Sequence, residues 1–163
     1  MKHVITALAL MASPVVAQDF HGAINLGSKH INATREFNEF NIGAELGVRW
    51  GEQWRAGVSG GVFLNSYEHW ATYVAADLDY RIYDGEHLDV YAGAFVSFAD
   101  YPNLSGYADK YGVPRVGAHI MIAGLEATIA SERGPEWLVR YVPFGKAMDG
   151  VISLSLRFPI GGE

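Results

Sequence analysis

Three groups of residues in this chain have types that do chemistry: a serine framed by glycines, a scatter of histidines, and charged side chains recurring at every second position. Gly57-Val58-Ser59-Gly60-Gly61 matches the Gly-x-Ser-x-Gly nucleophile elbow, in which a serine on a strained turn between strand and helix exposes its hydroxyl to a base. Here the motif lies inside a run from Trp54 to Ser66 that alternates apolar with small or polar residues. That is the period of a strand, so Ser59 reads as a packing residue. His21, His30, His69, His87 and His119 show no metal-ligand spacing, so neither a metal nor a cofactor is expected. Asn32-Ala33-Thr34 and Asn103-Leu104-Ser105 are glycosylation triplets of a length that arises by chance.

The elements that must position such residues share the same alternation. A first strand is expected near Gly22 to His30, and a second, the most regular, from Phe40 to Trp50. The third is the Trp54 to Ser66 run, the fourth covers Trp70 to about Tyr83, and the fifth covers Leu88 to Phe98. An irregular sixth begins at Pro114 and reaches about Ala130, the seventh covers Trp137 to Val142, and the last alternates from Val151 to Ile160. Gly51-Glu52-Gln53, Asp84-Gly85-Glu86 and Glu132-Arg133-Gly134-Pro135 make short turns. The connections after His30, Asn65, Phe98 and Pro143 are longer.

Met1 to Ala17 has an early lysine, an apolar run and a small-residue end, the pattern of a secretory signal peptide. Residues 18–163 then form one domain. Its eight strands, joined alternately by short turns and longer loops, predict an all-β fold: an eight-stranded antiparallel up-and-down transmembrane β-barrel of the outer membrane. The formal charge of −6, which becomes −7 once Lys2 leaves with the signal, excludes nucleic acid as a natural partner. With no cysteine, disulfides contribute nothing to the fold.

Alternation by itself does not say which face points outward, and a soluble barrel with an apolar interior shares the same period. The charged face is also the glycine-rich one, with Gly43, Gly47, Gly57, Gly61 and Gly93. A narrow eight-stranded lumen has room for that face and not for Phe40, Leu46, Trp50, Trp54 and Leu64 together. Trp50, Trp54, Trp70 and Trp137 sit at strand ends on the apolar face, as an interfacial belt requires. The apolar face is therefore expected to meet lipid. Glu45, Arg49, Arg55, Asp77, Asp79, Arg81, Asp89, Arg140 and Arg157 should then fill the periplasmic half of the lumen with paired charges. Gly43, Gly61, Phe63, Tyr73, Ala75, Gly93, Phe95 and Val151 line the external half, where they would suit a short apolar pocket or simple packing.

Three patches in order resemble the lipid A palmitoyltransferase family of the PagP type: His30 followed by Arg35-Glu36-Phe37-Asn38-Glu39-Phe40-Asn41-Ile42-Gly43; Phe63-Leu64-Asn65-Ser66-Tyr67-Glu68-His69-Trp70; and Arg140-Tyr141-Val142-Pro143-Phe144-Gly145 with a closing Leu156-Arg157-Phe158. The resemblance implies a monomeric outer-membrane enzyme that moves an acyl chain from phospholipid to the lipid A of lipopolysaccharide. It places the family's histidine, aspartate and serine at His30, Asn65 and Ser66, with the imidazole taking a proton and the serine acting as nucleophile or as a polar partner of the oxyanion. The acyl-pocket candidates are then Gly43, Gly61, Phe63, Tyr73, Ala75, Gly93 and Phe95 from the external half of the lumen, with Asp77 added by the resemblance. Asp77 stands where the family has a glycine at the pocket floor, so the expected donor chain is shorter than palmitate. Asn65 replaces an aspartate, and an amide can orient His30 but not supply charge. His30 shares sequence parity with Ile24 and Leu26, so a bulge or a strand end must precede it if it is to face the lumen. Two other functions fit the same sequence: a non-catalytic structural or interaction barrel, and a lipid A deacylase.

Overall fold

The computed structural model describes residues 18–101, 113–131, 134–144 and 148–161. The signal segment and most of the Asp100 to Val113 loop fall outside the described residues. Among the described residues there are nine strands and no helix: β1 (Gln18–Ile31), β2 (Gly43–Trp50), β3 (Trp54–Leu64), β4 (Trp70–Asp84), β5 (Leu88–Asp100), β6 (Arg115–Val116), β7 (His119–Ser131), β8 (Glu136–Pro143) and β9 (Gly150–Pro159). All pairings are antiparallel. The order β5-β4-β3-β2-β1-β9-β8-β7 closes on itself through a β5–β7 ladder, giving an eight-stranded up-and-down barrel. Closure leaves no free edge on the ring.

Several strand limits differ from the alternation. The expected sixth strand is broken, because Gly117 at φ +64° makes a turn that separates the two-residue arm β6 from β7. The second strand starts at Gly43 instead of Phe40, since Asn38 and Glu39 bond instead to Ser66 and Ser28. The third ends at Leu64, where a tight turn takes over. The first strand, whose alternation is weak, is 14 residues long because its two ladders, to β2 and β9, complete it.

The faces are those of a barrel immersed in lipid. Leu46, Val74, Leu78 and Leu125 are among the large apolar side chains pointing outward and exposed, while Glu45, Arg49, Arg55, Asp79, Glu126 and Arg157 are buried in the lumen. A soluble barrel would reverse this, because buried charges are costly unless paired and an apolar outer surface of this extent would associate in water. Trp54, Trp70 and Trp137 point outward at strand ends, and Trp50 is half-buried.

The lumen at the turn end is a salt-bridge plug. Glu136 accepts from Arg49 in a short contact, from Arg55 at 3.3 Å and from Arg157 at 3.4 Å. Glu45 faces Arg140 at 3.3 Å and Arg157 at 3.8 Å, and Arg140 also donates to Glu126 at 2.9 Å. Glycines give these side chains room: a Cβ at Gly57 would lie 2.4 Å from Asp77 Oδ2, and one at Gly93 2.3 Å from Asp79 Oδ1.

Candidate functional site

The site is built at the loop end, where β1, the 32–42 segment and the turn after β3 converge. In β1 the register against β9 slips between Asn25 and Gly27, leaving Leu26 as the extra residue of a bulge. The bulge reverses the parity, so His21 and Ala23 face the lumen before it and His30, opposite Val151, faces the lumen after it. Gly27 is required there: its φ is +156°, and a Cβ would lie 2.9 Å from the Glu39 carbonyl oxygen. Glu39 accepts from Ser28 N at 2.9 Å through that same carbonyl, which pins the 32–42 segment along β1. Ser28 Oγ bonds Asn41 Oδ1, whose amide donates to Leu64 O at 2.9 Å and ties the segment to β3.

Asn65 is completely buried and builds the turn that presents Ser66. Its side-chain oxygen accepts from Tyr67 N at 2.9 Å and His69 N at 3.1 Å, and Glu68 takes φ +64° to close the loop. The amide oxygen is thus committed to the turn. Ser66 Oγ then lies 3.0 Å from His30 Nε2. Of the three residues given chemical roles from sequence, His30 and Ser66 are in direct contact, and Asn65 supports the serine from behind.

Residues without an assigned role complete the setting. Phe37 stacks on the His30 ring, with centroids 4.6 Å apart and planes 14° from parallel. Arg35 lies over both Phe37 and Tyr67 and donates to Tyr67 Oη at 2.7 Å. Ser66 N donates to Tyr101 Oη at 3.4 Å, and burial pushes the Tyr101 phenol up to about 12, so it stays protonated. Glu39 Oε1 accepts from His30 N at 3.3 Å and lies 4.0 Å from Nδ1. Its Oε2 accepts from Lys29 Nζ at 2.9 Å, and that ammonium, with the His30 N–H, holds the Glu39 carboxyl below its ordinary value. Sequence reasoning missed Phe37, Glu39 and Tyr101. The first two lie in the Arg35 to Gly43 patch that carries the family resemblance, which was the available signal; Tyr101 had none.

Below the Ser66–His30 pair opens a cavity of about 200 Å³, lined by Phe63, Tyr73, Phe95, Ile122, Val142 and Val151 among others. Its floor is polar: Tyr73 donates to Glu45 at 2.6 Å, and Arg140 donates to Glu45 and lies 4.9 Å over the Phe95 ring. Of the expected pocket residues, Phe63, Tyr73 and Phe95 line the cavity and Gly43, Gly61, Ala75, Asp77 and Gly93 do not. Gly43 and Gly61 make room for the rings that do, since a Cβ would lie 2.7 Å from Phe63 Cβ or 2.9 Å from the Tyr73 ring. Asp77 and Gly93 belong to the plug; Asp77 shares a buried cluster with Asp79 and Glu126. Asp77 is therefore not the floor, because Tyr73 and Arg140 meet across the lumen instead.

No family model matches the chain, and no curated protein matches it. The solved structures that resemble it include the outer membrane protein Ail of Yersinia pestis in a phospholipid bilayer nanodisc, at 11% identity and TM-score 0.46. Another is the crystal structure of Ail, the attachment invasion locus protein of Yersinia pestis, at 15% identity and TM-score 0.43. Each match covers 88% of this chain and 100% of the other.

Proposed function

We propose that the chain is an outer-membrane barrel whose loop-end cup transfers an acyl chain from a phospholipid ester to the lipid A of lipopolysaccharide or a related lipid. The observation that carries this reading is the 3.0 Å contact between Ser66 Oγ and His30 Nε2 at the mouth of an apolar-walled cavity. Ser66 Oγ attacks the ester carbonyl while its proton passes to His30 Nε2, which returns it to the departing glyceryl alkoxide. A lipid A hydroxyl then attacks the Ser66 ester and gives its proton to His30, which passes it to the departing Ser66 Oγ, leaving the acyl chain on lipid A with Ser66 and His30 restored. Tyr101 Oη accepts from Ser66 N and retains its own proton, so it is a donor beside the developing oxyanion. The polar floor at Tyr73, Glu45 and Arg140 ends the apolar space and favours a chain shorter than palmitate. External basic residues, Lys29 and Arg35 among them, would pair with lipid phosphates in this reading.

A second reading is a non-catalytic structural or interaction barrel. It is favoured by Asn65, whose amide oxygen serves the turn and offers the imidazole no charge. The Ser66–His30 contact is then a latch between the turn and β1. Mass spectrometry of lipid A from cells expressing the wild type, His30→Ala or Ser66→Ala separates the two. A gain of one acyl chain with the wild type only supports transfer. A loss of one chain with free fatty acid released makes the protein a deacylase, and an unchanged profile in all three supports the non-catalytic barrel.

A further inference from the structure

We infer that Glu39 is the positioning residue for the His30 imidazole, taking the place that the family resemblance gave to position 65. This deepens the acyl-transfer reading and rests on it for its catalytic consequence, although the pairing itself stands on geometry. The His30 ring is buried, and its Nδ1 has no hydrogen-bond partner while Nε2 meets Ser66. A neutral imidazole carries one proton. If it sits on Nε2 the ring donates to Ser66 and is useless as a base; if it sits on Nδ1, Nε2 is free to accept the serine proton.

The group that decides is the carboxylate beside Nδ1, and Glu39 Oε1 is there at 4.0 Å. Its direction is already set from both ends. Oε1 takes the His30 backbone N–H, Oε2 takes Lys29, and the Glu39 carbonyl is held by Ser28. Asn65 is not available for the task because its oxygen holds two backbone N–H groups. Phe37, two residues before Glu39, fixes the ring plane by stacking, so one segment supplies both the plane and the acid. The charged groups acting on the ring are Glu39 and Lys29, with Arg35 lying beyond on Phe37; the turn and β9 present neutral Ser66 and Val151. Glu39 stabilises the imidazolium by charge as it forms and does not itself take the proton.

The test is a histidine nitrogen NMR titration of the labelled full chain in detergent micelles, for wild type, Glu39→Gln and Lys29→Gln. A His30→Gln sample assigns the signal, and heat-modifiable gel migration confirms that each barrel is closed. In the wild type the neutral ring should carry its proton on Nδ1. In E39Q the His30 midpoint should fall by roughly 0.7 of a pH unit or more, the effect of one carboxylate at about 4 Å. In K29Q, which leaves the carboxylate and removes a cation, it should not fall. An unchanged midpoint in E39Q, an Nε2-protonated neutral ring, or an equal fall in K29Q, which would mean lost loop order, each overturns the inference. Acyl transfer assayed alongside should drop at least tenfold at its plateau in E39Q, with the acid limb moved to lower pH. A wild type that transfers nothing sinks the acyl-transfer reading while the titration still decides the Glu39–His30 pairing.

Discussion

Replacing Glu136 by glutamine should be among the most damaging isosteric changes in this barrel. The side chain keeps its volume, so no cavity opens and the effect is one of charge alone. Glu136 is the shared acceptor of Arg49, Arg55 and Arg157, whose side chains are 6%, 8% and 1% exposed. Three charge-assisted hydrogen bonds at about 1.5–3 kcal/mol each would sum to a larger loss than the plug will show. Two of the arginines have a second acid: Arg55 faces Asp79 at 3.5 Å and Arg157 faces Glu45 at 3.8 Å. Arg49 has no second acid within 4.0 Å among the described residues, with Asp77 acting on it only from farther away. The loss therefore concentrates on one stranded guanidinium, and the expected destabilisation is about 3–5 kcal/mol, that of breaking one buried pair. Urea unfolding in phospholipid vesicles, followed by tryptophan emission, measures it. Removing the stranded charge as well, in Glu136→Gln with Arg49→Met, should restore at least about 1 kcal/mol of coupling. An E136Q barrel within about 1 kcal/mol of the wild type would show that lumen water, not Glu136, compensates these arginines.

Other consequences can be checked in the same preparations. Leu46 is 68% exposed on the outward face of β2, so Leu46→Arg should cost about 2–4 kcal/mol in vesicles if its depth is near the bilayer midplane, whereas Glu52→Arg in the turn should be nearly neutral. Equal, small effects at both positions would argue against a lipid-facing surface. Asn65→Ala removes the acceptor for two backbone N–H groups, and should lower stability by about 1–3 kcal/mol and abolish acyl transfer by displacing Ser66. Asn65→Asp can keep the turn but should not raise activity, because its carboxylate faces the turn; a gain in rate would contradict that placement. The Lys29 ammonium, followed by the His30 N–H, depresses the Glu39 carboxyl, so this pair contributes to loop order above the unfolded-state value and is lost only as pH falls through the lower folded value. Amide exchange at Ser28 should report that transition, and Lys29→Gln should move it to higher pH.

The division between what sequence determined and what required the fold follows from how far each signal reaches along the chain. Period 2 is local: the alternation at Trp54 to Leu64 or Trp70 to Tyr80 shows which residues share a face, and glycine with charge on one face identifies the lumen. The class of fold, the strand succession and the charged plug were therefore legible, down to Arg49, Arg55 and Arg157 sharing a side. Identities of partners were not, because Glu136 lies 87 residues from Arg49 and meets it only across the closed ring. The site divides the same way. His30, Asn65 and Ser66 could be selected in sequence, and parity required a bulge or a strand end before His30, but that it is a bulge, and that it lies at Leu26, depends on the register that β9 imposes. Likewise Asn65 was legible as a residue type and not as a turn-builder, since its bonds to Tyr67 and His69 exist only once the chain has closed on itself. The acid beside His30 had to come from whichever segment the bulge and the Ser28–Glu39 bond drew alongside β1, and that choice belongs to the tertiary structure alone.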